Sequence, residues 1–377
     1  MAVFCISLER LPPINQKVNV MKNKVLNLLY VGAIIIFIIF PQLSYWSKNY
    51  YIVHIACLIG IYIILAIGLN IVIGFLGLLD LGYIAFYGIG AYTSMLLSIH
   101  YQIGFFPVLI ITVIVVVFFR LLLGAPVLRL RGDYLAIVTL AFGEITRIFL
   151  NNCDVLTNGP KGLPRVGQEV LKPQLFFFTL SNDLHFYYLI GIFVVILIVL
   201  TRRIENSRIG RAFVAIREDE VAAEVMGIPT PNIKLIGFAL SGVFAGCAGC
   251  IYTHWIGFVT PEVFTFWQSI LLVCMVILGG MGSINGVILG VFLLVGIPEL
   301  LREILGTKFV LYRMLIFGII IVAIIILRPQ GLIPSKRIQL EFQPDDEKIK
   351  EEESQSLYDV LHDKGEPDIR TYTGHSH

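Results

Sequence analysis

Long unbroken apolar runs, rather than an alternation of apolar and polar positions, dominate the chain up to about residue 330. Val31–Phe40, Val108–Phe119, Tyr187–Leu200 and Met314–Leu327 are examples. Each lies inside a window wide enough to cross a bilayer, which takes about 20 apolar residues. The pattern predicts ten spans, at roughly 27–46, 50–73, 80–99, 104–126, 133–151, 186–201, 234–254, 263–281, 284–301 and 309–327. The 80–99 and 284–301 segments are rich in glycine and read as short or re-entrant, and 133–151 carries two charges, Glu144 and Arg147, in its interior. The expected fold is an all-α polytopic membrane protein with about ten transmembrane helices, eight at the fewest.

Composition agrees. The 377 residues are 57% hydrophobic and 14% charged, with mean hydropathy +0.85, where soluble domains run near 25% charged. Disordered, collagen-like and disulfide-scaffold chains are excluded. The net charge of +2 hides an asymmetry, because residues 341–377 hold eleven acidic against four basic side chains. The remaining cations sit beside apolar segments instead of forming a patch or arm, which argues against nucleic acid as a partner.

Basic residues orient the spans. With the N-terminus inside, the inner segments collect Lys17, Lys22, Lys24, Arg129, Arg131, Arg202, Arg203, Arg208, Arg211, Arg217, Lys234, Arg328, Lys336 and Arg337. The outer side has Lys48, Lys161, Arg165, Lys172, Arg302 and Lys308. Both termini are therefore expected in the cytoplasm. Residues 1–26 read as a cytoplasmic segment, 27–335 as the transmembrane domain and 336–377 as an acidic, disordered tail. The first apolar segment exceeds a signal h-region and reads as a retained span.

Two hydrophilic loops interrupt the spans. Residues 152–185, expected outside, contain the turn cluster TNGPKGLPR. Residues 202–233, expected inside, contain RIGRAFVAIREDEVAAEVMGIPTP, which reads as one short amphipathic helix. Ala212, Phe213, Ala215 and Ile216 supply an apolar side that Val221, Ala222, Val225 and Met226 extend. Gly227 stands at the C-cap position, with Pro229 and Pro231 beyond it. Such a helix lies in a groove of another protein, or serves as a solvated connector.

The stretch EVAAEVMG resembles the EAA---G loop of ABC-importer permeases, with Glu220, Ala222, Ala223 and Gly227 at the matching positions. The longer string GRAFVAIREDEVAAEVMGI…KLIGFALSGVFAGCAG is similar to the branched-chain amino acid permeases, and among them to the M-type subunit. So are GFLGLLDLGYIAFYGIGAY, GDYLAIVTLAFGEITRI, TNGPKGL, GFVTPEVFTF, VILGGMGSINGVILG and RPQGLIP. These blocks run in order across roughly residues 70–335. Asp80 and Tyr83 stand where many relatives carry Ser and His. The resemblance implies an importer in a bacterial inner membrane whose pathway is made by this chain and a second permease subunit, a paralogue or a second copy. Two cytoplasmic ABC ATPases drive it with ATP-Mg, and a periplasmic substrate-binding protein delivers the amino acid. The 202–233 loop would be the coupling element, carrying Arg217, Glu218, Asp219, Glu220, Ala222, Ala223, Glu224 and Gly227. No GxxxxGK[ST] phosphate loop occurs in the sequence, so no cofactor is expected on this chain.

Charges within a span usually face protein or a cavity. Glu144 and Arg147 lie at i,i+3 and either line a pathway for a zwitterion or neutralise each other. Asp80 either caps the helix that follows or gates the inner exit, with capping preferred. Gly279, Gly280, Gly282 and Gly286 permit either a hinge or broken helix, or close helix packing. Cys247 and Cys250 form a CxxC within GVFAGCAGCIY and are expected to pack. The scattered histidines suggest no metal site, and no catalytic constellation appears. The expected function is a permease subunit for leucine, isoleucine and valine, not an enzyme. The alternatives are a related ABC permease for urea, short amides or other hydrophobic amino acids, and an ion-coupled secondary transporter, which would need no docking helix.

Overall fold

A computed structural model describes residues 50–128, 133–164, 174–175, 178–179, 182–305 and 331–333, with Gly318 and Val322. The expected first span, residues 1–26, the tail from 336 and, those two residues apart, the 309–327 span lie outside the described residues.

The other eight expected spans are helical. Helix α1, Tyr50–Asn70, continues into a π-turn, Ile71–Phe75. After it come α2 (Tyr83–Tyr101), α3 (Phe105–Val127), α4 (Asp133–Asn152) and α5 (Asp183–Glu205). Two short helices, α6 (Arg208–Glu218) and α7 (Glu220–Val225), fill the charged loop. The chain then forms α8 (Thr230–Ile256), α9 (Phe266–Gly279), α10 (Ile284–Val291), a second π-turn (Phe292–Gly296) and α11 (Ile297–Leu305). Six of these helical segments are long and apolar enough to cross a membrane. The glycine-rich α2 spans 19 residues, and α10 with its π-turn and α11 forms a shorter apolar helix.

Helix α8 is the axis of the bundle and packs along α1, α2 and α3. Its small residues allow this. A Cβ on Gly249 would lie 2.7 Å from the Ala91 backbone nitrogen, so α2 and α8 touch through backbone. Cys247 and Cys250 are free thiols buried in this small-residue stripe. The core around it is continuous, from Ile61 and Leu65 on α1 through Phe86 on α2 to Phe244 and Ile251 on α8.

The two ends of the bundle differ. At one end two-residue strands pair antiparallel, β1 (Leu163–Pro164) with β4 (Phe258–Val259), which clasps the TNGPKGL block to the GFVTPEVFTF block. A second ribbon, β2 (Gln174–Leu175) with β3 (Phe178–Thr179), lies in the same connection. These ribbons amend the all-helical expectation outside the spans only. The opposite end carries α6 and α7, packed against the π-turn that ends α1, against α5 and against α8.

The expected single helix in the charged loop is instead two. Asp219 breaks it with extended backbone, φ −154° and ψ 112°. Its carboxylate accepts from Val221 N at 2.8 Å and Ala222 N at 3.0 Å, making it the N-cap of α7. The apolar stripe is therefore not continuous. Phe213 and Ile216 are buried against the bundle, whereas Val221, Val225 and Met226 are exposed.

Candidate functional site

The α6–α7 unit is a rigid projection. Ser207 caps α6 by accepting from Gly210 N at 3.2 Å. After α7, Gly227 adopts φ +85°, Gly227 N donates to Glu224 O, and Ile228 N donates to Ala223 O at 3.0 Å. That pair of bonds is a Schellman stop, for which the positive φ requires glycine. Lys234, its side chain only 4% exposed, pairs with Glu220 at 2.6 Å and ties α7 to the start of α8. Ala223 is buried beneath α7. The outward surface consists of Glu218, Ala222, Glu224, Val221, Val225 at 81% and Met226 at 82% exposure. Val221, Val225 and Met226 thus form an exposed apolar group on a helix capped at both ends.

The residues expected to couple thus divide. Glu218, Ala222 and Glu224 face outward. Asp219 and Gly227 shape the chain, Ala223 packs, and Glu220 is held by Lys234. Arg217 points inward: its Nη1 donates to Gly74 O at 2.6 Å, in the π-turn that ends α1. One turn earlier, Asn70 is fully buried, and its Oδ1 accepts from Gly282 N at 2.9 Å.

Asp80 and Arg120 form an ion pair in which both side chains are 0% exposed. Arg120 Nη2 donates to Asp80 Oδ2, and Nε donates to Ser241 Oγ at 3.1 Å. The Phe86 and Phe238 rings lie 4.4 Å from the guanidinium and Tyr83 lies 5.3 Å from it, a cation–π enclosure. Tyr83 Oη donates to Ser241 O. Asp80 Oδ1 accepts from Gly82 N, just before α2, so it shapes that helix start while its other oxygen binds α3. Together α2, α3 and α8 meet on this cluster. Sequence reasoning missed Arg120, although the signal was present: a lone cation inside FFPVLIITVIVVVFFRLLLGAPV needs a partner.

Glu144 and Arg147 pair on α4, with Nε and Nη2 both 2.9 Å from Glu144 Oε2. Their side chains are 31% and 27% exposed. Helix α4 is the least buried of the six long spans, with Tyr134, Ile137, Ile145, Ile148 and Phe149 exposed. A cavity of about 270 Å³ lies between α2, α3 and α4, lined by Ile89, Tyr92, Phe119, Phe142 and Phe149 among others. By helical phase its α4 residues fall on the side away from Glu144, so the ion pair and this apolar space are separate.

Of the four glycines, Gly279 and Gly286 face each other: a Cβ on either would lie 2.3 Å from the other's carbonyl oxygen. They are the contact point of α9 and α10. Gly280 (φ +118°) and Gly282 (φ +76°) form the turn between those helices. Within the helices, α-helical geometry departs at the two π-turns, which no sequence pattern marked. Residues 331–333 seal this corner, with Leu332 N donating to Leu278 O and Ile333 N to Gly279 O.

Residues 51–325 match the family described as branched-chain amino acid transport system, permease component. The high-affinity branched-chain amino acid transport system permease LivM of Escherichia coli K12 is 44% identical over 314 residues, covering 77% of this chain and 72% of that protein. The LivH permease of Salmonella typhimurium is 26% identical over 295 residues, 74% of this chain and 92% of that protein. Over 101 residues, 26% of this chain and 29% of the relative, the autoinducer 2 import permease LsrC of Yersinia pseudotuberculosis is 33% identical. No solved structure matches. A family match over most of the chain, on a bundle of apolar helices with a projecting loop helix, places the protein in the branched-chain amino acid transport system permease family.

Proposed function

We propose that this chain is one of the two permease subunits of an ATP-driven importer for leucine, isoleucine and valine in the bacterial inner membrane. The observation that carries the reading is the α6–α7 projection, fixed to the bundle on one side and presenting Val221, Val225 and Met226 on the other. In this reading α7 seats in a groove of a cytoplasmic ABC ATPase, which binds ATP-Mg, and both termini lie on that side. A periplasmic binding protein delivers the amino acid to the end where β1 pairs with β4. The similarity to both LivM and LivH supports a paralogue as the second permease.

Helix α4 then faces the pathway or the partner permease. A half-exposed ion pair facing lipid is unfavourable, and Glu144 and Arg147 become favourable when water or protein covers that flank. Labelled leucine uptake by cells lacking this chain tests the function. Restoring the gene returns energy-dependent uptake that isoleucine and valine inhibit and urea does not. Unchanged uptake on restoration contradicts the substrate assignment. In the same assay, Glu144→Gln and Arg147→Gln each reduce leucine uptake by about tenfold at normal protein level, as for loss of a charged contact worth 1.4 kcal/mol. Unaltered uptake in both removes the pair from the pathway.

A further inference from the structure

Helix α1 ends without a cation of its own: neither its last turn nor the π-turn that follows contains a basic residue. The last carbonyls of a helix lack intrahelical partners and carry partial negative charge. Here a partner comes from 143 positions along the chain, as Arg217 Nη1 donates to Gly74 O. The same guanidinium stem packs on Gly77, where a Cβ would lie 2.8 Å from Arg217 Cγ and the backbone has φ +71°. Gly74 is also closed on its other side, since a Cβ there would lie 2.4 Å from Gly282 N. Gly282 N is in turn held by Asn70 Oδ1. Three separate parts of the chain therefore meet at one point: the last residue but one of α6, the π-turn of α1, and the turn joining α9 to α10. Behind them Leu76 contacts Gly237 on α8. A π-turn carries an extra residue relative to α-helix and so can lengthen or relax under load.

We propose that Arg217 is the positioning residue that delivers movement of the ATPase-docking loop to α1 and, through Asn70 and Gly282, to the α9–α10 turn. The proposal rests on the importer reading. It makes Arg217 part of the transmission rather than of the docking surface, and gives the buried Asn70 a role besides packing. Loss of the Arg217 bond leaves docking at Val225 and Met226 intact but uncouples it from the bundle.

The test uses the complete complex of this chain with its permease partner, ATPases and binding protein, reconstituted in vesicles. Labelled leucine uptake and ATP hydrolysis are read on the same sample. Arg217→Gln is expected to keep ATP hydrolysis but lower leucine transported per ATP by about tenfold, within the range of allosteric coupling. It also abolishes the stimulation of hydrolysis by loaded binding protein. Arg217→Lys, which keeps a cation at the end of α1, recovers most of the ratio. A wild-type ratio in Arg217→Gln overturns the proposal. Where that variant does not assemble, Asn70→Leu decides, since it removes the bond to Gly282 at similar volume: a lowered ratio is expected and an unchanged ratio overturns the joint. A wild-type complex with no ATP-dependent uptake removes the importer reading, and the joint with it. A coupled wild-type complex with an unaffected Arg217→Gln removes the joint alone.

Discussion

Arg120→Met lowers the folded protein in the membrane to a small fraction of wild type, and Asp80→Asn in the same chain restores most of it. Both members of this pair are 0% exposed, so water cannot compensate for either charge. Methionine fills much of the space and suits the surrounding Phe86 and Phe238 rings. It leaves the Asp80 carboxylate buried without a counter-ion. Breaking a buried pair from one side costs about 3–5 kcal/mol, a large share of the 5–15 kcal/mol by which proteins are stable. Asparagine at position 80 removes the stranded charge, and its oxygen still accepts from Gly82 N, so the double variant regains most of the loss. Membrane level and thermal unfolding in detergent measure the cycle. Equal stability of Arg120→Met and wild type would show that the cluster does not hold α2, α3 and α8 together. Arg120→Lys falls between, because an ammonium lacks the planar fork that reaches both Asp80 and Ser241.

Met226→Asp abolishes transport without removing the chain from the membrane. Val225 and Met226 are more than four-fifths exposed, so a carboxylate there costs nothing in the isolated subunit. In the proposed complex it must be desolvated inside an apolar contact. Truncations at the centre of an interface cost about 2 kcal/mol or more, and a buried unpaired charge costs at least as much. The ATPase is expected to separate from the solubilised complex, while Glu224→Gln at the rim changes little. Glu220→Gln behaves differently: it leaves Lys234, 4% exposed, without its counter-ion. That variant weakens the loop itself, and Lys234→Met in the same chain offsets the loss.

The eight described spans were legible because a segment surrounded by lipid or protein needs only hydrophobicity, and hydrophobicity is written locally. The C-cap at Gly227 was legible for the same reason, since a positive φ before Pro229 depends on neighbouring residues alone. The break at Asp219 was less so: aspartate inside an apolar period is compatible with a solvent-facing helix position, and only docking of Phe213 and Ile216 against the bundle decides between them. Once the helix breaks, α7 turns its apolar residues outward, away from the side that buries Phe213 and Ile216. The pairs Asp80–Arg120, Glu220–Lys234 and Asn70–Gly282 join residues 40, 14 and 212 positions apart. Their pairing depends on the depth at which helices sit beside one another, and a single sequence does not encode that depth visibly. The Glu144–Arg147 pair could be read because both members share one helix.

Accessibility of position 226 tests the docking claim most directly. A Met226→Cys chain in inside-out vesicles is treated with a membrane-impermeant maleimide, with the unsubstituted chain as the control for native thiols. Without the ATPases the thiol reacts rapidly, and in right-side-out vesicles it does not react. In the assembled, leucine-transporting complex the reaction slows by about tenfold or more, as expected for a side chain desolvated in an interface core. Equally fast labelling in a complex that transports leucine, or labelling from the outer face, would contradict the account.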